Sequence, residues 1–202
     1  MKKVVAVVAA LLASSCAHQA QVSSTPAYDT VTSYSKKIPG RWLLYTDSAN
    51  LNTVARSETM DCSAHTFPVD FANGFQGSVS GTLQNILEQS QVTDNPTLGS
   101  GARGIVAVRG ESIEARLNVV PGFWTARIVA NVNMSASVAV DGKDGRLFGK
   151  TLEGHGRREA DLGFMCSGGE IAVRAAAETA QKNLLRKIGE EVANSERVRS
   201  TH

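Results

Sequence analysis

The stretch WTARIVANVNMSASVAVDGKDG, Trp124 to Gly145, decides the fold that this sequence predicts. Apolar or small residues occupy every second position as far as Val140, and asparagine and serine stand between them from 131 to 137. A period of two over this length is typical of an antiparallel strand with one buried and one solvated face. The glycines of Asp141–Gly145 tolerate positive φ and therefore predict a hairpin turn. We expect residues 146–161 to return as the next strand.

Outward from this hairpin the chain alternates between two periodicities. Residues 102–109, 111–120 and 40–46 predict further strands, whereas 71–89 and 168–194 carry apolar residues at helical spacing. The order strand, helix, several strands, helix predicts an α+β domain. We expect an antiparallel sheet of about four to five strands with two helices packed on one face.

The amino-terminal residues have the features of a secretory leader. Lys2 and Lys3 precede an apolar run, Val4 to Ala13, and small residues follow as far as Cys16. A charged start, a short apolar run and small residues before a cleavage point are typical of a signal peptide. The run is too short to cross a bilayer, which takes about 20 residues.

The segment Leu12-Ala13-Ser14-Ser15-Cys16 resembles the lipobox of bacterial lipoproteins, although leucine is commonest where this chain has Ala13. The resemblance implies cleavage before Cys16, lipidation of its sulfur and acylation of the new amino terminus, for example with palmitate. Ala17 follows instead of aspartate, which in this family implies the outer membrane and its periplasmic face. The alternative is an ordinary signal peptide that leaves Cys16 unmodified.

The sequence predicts four segments. These are a signal peptide at 1–15, a lipidated amino terminus with a flexible tether at 16–38, a periplasmic α+β domain at 39–194 and a disordered tail at 195–202. The tether prediction depends on Ser, Thr, Gln and Ala without a sustained period, and about 20 flexible residues reach roughly 25 Å. The tail is polar and terminal.

Composition limits the function classes. The formal net charge is +2, and removal of Lys2 and Lys3 brings it near zero, which gives no basic surface for nucleic acid. Only 5% of residues are aromatic whereas 18 are glycine, so we expect small residues to do much of the packing.

Cys62 and Cys166 remain as a pair once Cys16 is assigned to lipid. In an oxidising compartment a disulfide between them is the default prediction. Free buried thiols stay as an alternative, and the lack of CxxC spacing argues against zinc. A nucleophilic Cys62 with His65 as its base is a further alternative.

Catalytic signatures are sparse. The sequence has no GxSxG, HExxH or phosphate-binding loop, so we expect no enzyme activity, no metal and no cofactor. His65, beside Asp61 and Ser63, and His155 are the residues of a less favoured hydrolase hypothesis.

Two groups of residues are candidates for ligand or partner contact. Phe71, Phe75 and Trp124 would line a lipid or glycan site between the helices and the sheet. Arg157 and Arg158, with Arg103, would form a small basic patch for phosphate or an acidic partner, unless they are solvated strand-end charges.

The lipobox and the element order together are similar to small outer-membrane lipoproteins of the YajG-like and LptE-like type. The resemblance is one of pattern without a diagnostic motif, so it transfers no site residues. It implies an accessory or assembly component of an envelope complex that acts through protein–protein contacts. The alternative is the lipid- or glycan-binding module.

Overall fold

The computed structural model describes residues 17–59, 61–71 and 74–201, so Cys16 and the predicted signal peptide lie outside the described residues. The strands of the described part are β1 Ala20–Gln21, β2 Ile38–Asp47, β3 Thr53–Ser57, β4 Thr66–Asp70, β5 Leu87–Val92, β6 Gly104–Val120, β7 Arg127–Gly142 and β8 Gly145–Asp161. The helices are α1 Gly74–Ile86, α2 Gly168–Asn194 and α3 Glu196–Ser200, with a 3₁₀ turn at Phe164–Cys166.

One mixed sheet contains these strands. β6, β7 and β8 form a long antiparallel ladder. The other edge of β6 pairs with two further groups of strands. β2 pairs with the first half of β6, and β5 pairs with the outer edge of β2. β3 pairs with β6 near its carboxyl end, β4 pairs with β3, and β1 pairs with β4. Across the described chain, the pairings β1–β4, β2–β5, β2–β6 and β3–β6 are parallel.

The α+β class and the long hairpin are confirmed, but the antiparallel sheet of four to five strands is wrong. The sheet has eight strands in the described residues and is mixed. The four shortest strands, β1 and β3 to β5, are too brief to show a clear period. The predicted helix, 71–89, extends past the observed end of α1 at Ile86 and includes the first residues of β5. The prediction overran because Leu87 is apolar at a position that continues the helical spacing of α1.

Both main helices pack on the same face of the sheet. The core joins apolar residues of α1 and α2 to the inward residues of β2, β6 and β7. In β7 the predicted alternation is observed, with buried Ile128, Ala130, Val132, Met134, Ala136, Val138 and Val140. On the opposite face, Leu43, Ala102 and Ile105 form a small separate cluster.

Helix α2 lies unusually close to β8 because two glycines face it. A Cβ at Gly156 would lie 1.9 Å from the Ala176 carbonyl oxygen, and one at Gly154 would lie 2.2 Å from that of Ala180. Alanines on the helix complete the small surface, and Ala176, Ala177 and Ala180 are fully buried. The expectation that small residues do much of the packing therefore applies to this helix–sheet contact.

Residues 17–37 differ from the predicted flexible tether. Residues 17–22 pair along β4, and residues 23–37 lie as a strap across the helices. Ala20 and Ala27 are fully buried. The Ala27 amide donates to Thr82 Oγ1 at 2.9 Å, and Gln181 Nε2 donates to Thr25 Oγ1 at 2.8 Å. The polar residues that resembled a linker are thus satisfied by tertiary hydrogen bonds, which no local pattern reveals.

The carboxyl-terminal residues also differ from the predicted disordered tail. α3 buries Val198, and Arg199 lies over the ring of Tyr34 in the strap, 3.9 Å from its centroid. Arg103 donates to the Arg199 carbonyl at 2.8 Å and to that of Thr201. Partial burial lowers the pKa of the Arg103 guanidinium. These contacts fasten the carboxyl-terminal residues to the strap at Tyr34 and to the start of β6.

The predicted disulfide is present in the structure. Cys62 and Cys166 are bonded, with Cα atoms 5.9 Å apart and a sequence separation of 104. Cys62 lies in the turn before β4, whereas Cys166 precedes α2. The bond therefore ties the β3–β4 connection to the start of the long helix.

Candidate functional site

The described chain begins at one end of the sheet. Ala17 forms a β-bridge with Thr66 of β4. Thr66 pairs with Arg56 of β3, and Arg56 pairs with Arg116 of β6, so Ala17 and Arg116 lie at the same height in the sheet. Because β1 and β4 run opposite to β6, the described chain enters β1 from the side of the β6 carboxyl end. Val120, at that end, lies four positions beyond Arg116, about 13 Å along the strand. We call this end of the sheet the anchor end.

The disulfide and a histidine pair lie near the first described residues. His18 Nε2 is 3.2 Å from His65 Nδ1, and the His18 ring stacks on Phe67 at a centroid separation of 5.5 Å. His65 donates its amide to the Cys62 carbonyl at 3.0 Å. The disulfide loop therefore connects the chain start to the loop that precedes α2.

Two loops at the anchor end carry large apolar side chains that are solvent-exposed. Phe123 and Trp124, in the β6–β7 loop, are 90% and 89% exposed, and their rings contact edge to face at 4.8 Å. Phe164 and Met165, in the β8–α2 loop, are 86% and 53% exposed. We call these four residues the apolar tip.

The two loops of the apolar tip are neighbours. Arg127 pairs with Asp161 at the ends of β7 and β8, and the Leu162 amide donates to the Ala126 carbonyl at 3.0 Å. Both loops therefore leave the sheet at the same point.

A groove of about 390 Å³ lies under the Phe123–Trp124 loop. Its charged lining is paired: Glu159 lies 3.2 Å from Arg157 and 3.7 Å from Arg127. Nearby, the hydrogen bond and charge of Glu114, together with Glu58, raise the pKa of Arg116. The anchor end is consequently apolar at its tip and close to neutral behind it.

The face of β6–β8 opposite the helices is polar, and we call it the open face. His155 Nδ1 lies 2.7 Å from Asn133 Oδ1, and Ser112 and Ser135 are joined at 2.8 Å across neighbouring strands. A shallow pocket of about 290 Å³ lies between these pairs. The side chains of the open face are therefore already oriented by one another.

The predicted contact residues do not form one site. Phe71 and Phe75 are fully buried in the core and so line no accessible pocket, which removes the basis of the lipid or glycan site at the helix–sheet interface. Trp124 is at the apolar tip instead. Arg157 lines the groove and Arg158 is exposed beside it, whereas Arg103 lies at the opposite end of β6.

The catalytic candidates are also apart. His65 contacts His18, and His155 contacts Asn133. In the described ranges, no three histidine, cysteine or acidic side chains are grouped as a metal site would require.

Sequence reasoning identified Trp124 but missed the rest of the apolar tip. The available signal was two adjacent aromatic residues, Phe123 and Trp124, directly after Pro121 and Gly122, where a loop is expected to be polar. The sequence around Phe164 and Met165 gave no comparable signal. Their exposure depends on where β8 ends and on the disulfide at Cys166, and both are features of the folded chain.

Within the residues that the structure covers, no helix has the length and apolar character needed to cross a membrane. No family model matches the sequence, and no curated protein matches it.

Solved structures give distant similarities. The chain is similar to a DUF330 protein from Xanthomonas campestris, at 10% identity and a TM-score of 0.42, covering 88% of this chain and 92% of that one. It is similar to a minor lipoprotein from Acinetobacter baumannii at 10% identity and 0.39, covering 76% and 90%. A neuraminyllactose-binding hemagglutinin homolog from Helicobacter pylori gives 7% and 0.44, covering 83% and 91%. Similarity at this level does not assign the chain to a family.

Proposed function

We propose that this chain is a non-enzymatic envelope lipoprotein, anchored in the outer membrane by acyl chains on Cys16 and facing the periplasm. Its domain acts as an accessory or assembly component through contacts with another protein. The observation that carries the proposal is the pairing of Ala17 with Thr66. The lipobox cysteine is joined directly to a folded body, so an anchor at Cys16 fixes where that body lies.

The anchor is sufficient on energetic grounds. Each buried CH₂ contributes about 0.8 kcal/mol, and one acyl chain alone gives only reversible binding. The lipobox resemblance implies several chains on one residue, which hold a domain firmly without a spanning helix.

The anchor is tested by mass spectrometry of the protein purified from membranes. We expect an amino-terminal peptide that begins at Cys16 and carries acyl groups. Cys16→Ser should abolish the acyl mass, whereas Ser14→Ala, a matched change within the same motif, should retain it. An unacylated wild-type chain would contradict the anchor.

We propose the open face as the partner surface. The helices and the strap cover the inner face, so the polar side of β6–β8 remains accessible. Its mutually bonded pairs, His155–Asn133 and Ser112–Ser135, are ordered before any partner binds. Preorganised side chains reduce the entropy lost on association.

Photo-crosslinking in intact cells tests this surface. A crosslinker at Ser135 should give a discrete adduct, whereas one at Lys182, an exposed residue of α2, should not. Adducts at Lys182 alone would place the partner on the helical layer and contradict the assignment.

The non-enzymatic part of the proposal has its own test. We expect cells that carry the double variant His65→Ala, His155→Ala to have the same phenotype as cells that carry the wild type, when both proteins are equally abundant. Loss of function in a stably folded double variant would favour a hydrolase instead.

A further inference from the structure

We propose that the apolar tip, Phe123, Trp124, Phe164 and Met165, inserts into the lipid interface of the membrane to which Cys16 is anchored. The inference rests on the proposed anchor and adds a second point of membrane contact. The occupant to which it commits is the lipid bilayer.

The position of the chain start supports this occupant. Ala17 is fixed to Thr66, and Cys16 is the residue next to Ala17 in the sequence. With no free spacer, acyl chains on Cys16 bring the anchor end itself to the membrane. The apolar tip lies at that same end, whereas the exposed Tyr28 lies on the strap beside α1.

The residue types agree with a lipid interface. Tryptophan and other aromatic side chains are enriched at the level of the headgroups, and an apolar loop buries its rings there without crossing the bilayer. Phe123 and Trp124 expose nearly all of their surface while contacting each other, which is costly in water alone.

The backbone presents the second loop outwards. Met165, Cys166 and Cys62 have φ values of 49°, 61° and 62°, a left-handed conformation that non-glycine residues rarely adopt. All three lie at the disulfide. A strained backbone conformation persists only where the surrounding structure enforces it. Here the disulfide enforces it, and the loop it holds keeps Phe164 and Met165 in solvent.

The charges near the apolar tip favour apolar insertion over electrostatic attraction. Arg157 and Arg127 share Glu159, and Arg116 pairs with Glu114 and Glu58. Paired charges leave little net attraction for anionic lipid. We therefore expect contact of the tip with neutral phosphatidylcholine, without strong salt dependence.

The two tryptophans of the chain provide the assay. Trp42 is fully buried in the core, whereas Trp124 is 89% exposed. The full acylated protein is reconstituted in phosphatidylcholine vesicles with brominated acyl chains, and Trp124→Phe reports the emission of Trp42 alone. We expect the Trp124 component to be blue-shifted, quenched by the brominated lipid and protected from aqueous acrylamide.

Matched variants test the rest of the apolar tip. Phe123→Ser with Phe164→Ser should reduce the lipid quenching of Trp124, whereas Tyr28→Ser, at a residue that is 67% exposed elsewhere, should leave it unchanged. Because all three positions are solvent-exposed, the variants are expected to fold, and unchanged Trp42 emission verifies this.

The outcomes separate this inference from the proposed anchor. Acylated protein whose Trp124 is quenched by acrylamide and not by brominated lipid overturns the inference and leaves the anchor intact. Protection of Trp124 only in native outer membranes, and not in vesicles, identifies a protein partner and also overturns it. If the protein proves to be unacylated and its Trp124 is still quenched by brominated lipid, the proposed anchor is contradicted, whereas membrane insertion of the apolar tip is supported.

Discussion

Replacing Gly156 by alanine tests the close contact between α2 and β8. A glycine in the middle of a strand destabilises it by roughly 0.5–1 kcal/mol relative to alanine, so backbone entropy alone predicts that Gly156→Ala stabilises the protein. The structure predicts the opposite sign. The new Cβ would lie 1.9 Å from the Ala176 carbonyl oxygen and 2.6 Å from the Ala180 nitrogen, both of which are helix backbone.

The magnitude follows from the distance. Because Cβ atoms essentially never approach closer than 3.0 Å, helix and strand must separate by about 1 Å. A gap of that size forfeits a quarter to a half of each dispersion contact across the interface. Overpacking changes cost about 1–3 kcal/mol, and we expect the upper value here because no flexible side chain can move aside. For a chain of this size 3 kcal/mol lowers Tm by about 6–12 °C.

Gly149→Ala is the matched control on the same strand. Its Cβ would meet only the flexible Arg146 side chain at 3.4 Å, so we expect a change of less than about 1 kcal/mol. Urea unfolding, followed by Trp42 emission in a Trp124→Phe background, measures both changes. A Gly156→Ala protein as stable as the Gly149→Ala protein would refute the steric argument.

The remaining predictions concern the ties that hold the chain ends. Cys62→Ser with Cys166→Ser should lower the free energy of unfolding by about 4 kcal/mol, because the bond closes a long loop, and chemical denaturation under oxidising conditions measures it. Gln181→Leu removes the hydrogen-bond donor to Thr25 and should lower the free energy of unfolding by about 1–3 kcal/mol. We expect faster amide exchange in the strap while exchange in β7 stays slow, and unchanged exchange in the strap would contradict this. Arg103→Leu should free the carboxyl-terminal residues for proteolysis at neutral pH, and a tail that remains resistant would show that the burial of Val198 suffices.

Strong local signals allowed part of the fold and of the site to be predicted. The alternation from Ile128 to Val140 required one buried and one solvated face, and β7 has both. The helical spacing over 168–194 coincides with α2. Trp124 was identified as a contact candidate, but its partner in space was expected to be Phe71, which is in the core.

The errors have one physical origin. Short strands and polar segments acquire their structure from partners distant in sequence. β5 is a strand because β2 offers it a parallel edge, although its Leu87 also completes a helical stripe. The strap is ordered because Thr82 and Gln181 satisfy its polar groups. The four residues of the apolar tip converge only after β6, β7 and β8 have paired.

The sequence by itself determined the elements whose periodicity is long, because each depends on neighbours along the chain. The pairing of Cys62 with Cys166 followed from the small number of cysteines and the expected oxidising compartment. Tertiary structure alone decided the parallel pairings, the folding of residues 17–37 and 195–201 onto the domain, and the position of the two exposed apolar loops at the anchor end. These depend on which backbone edges and polar groups remain free once the long ladder and α2 have packed, and that is a property of the assembled sheet.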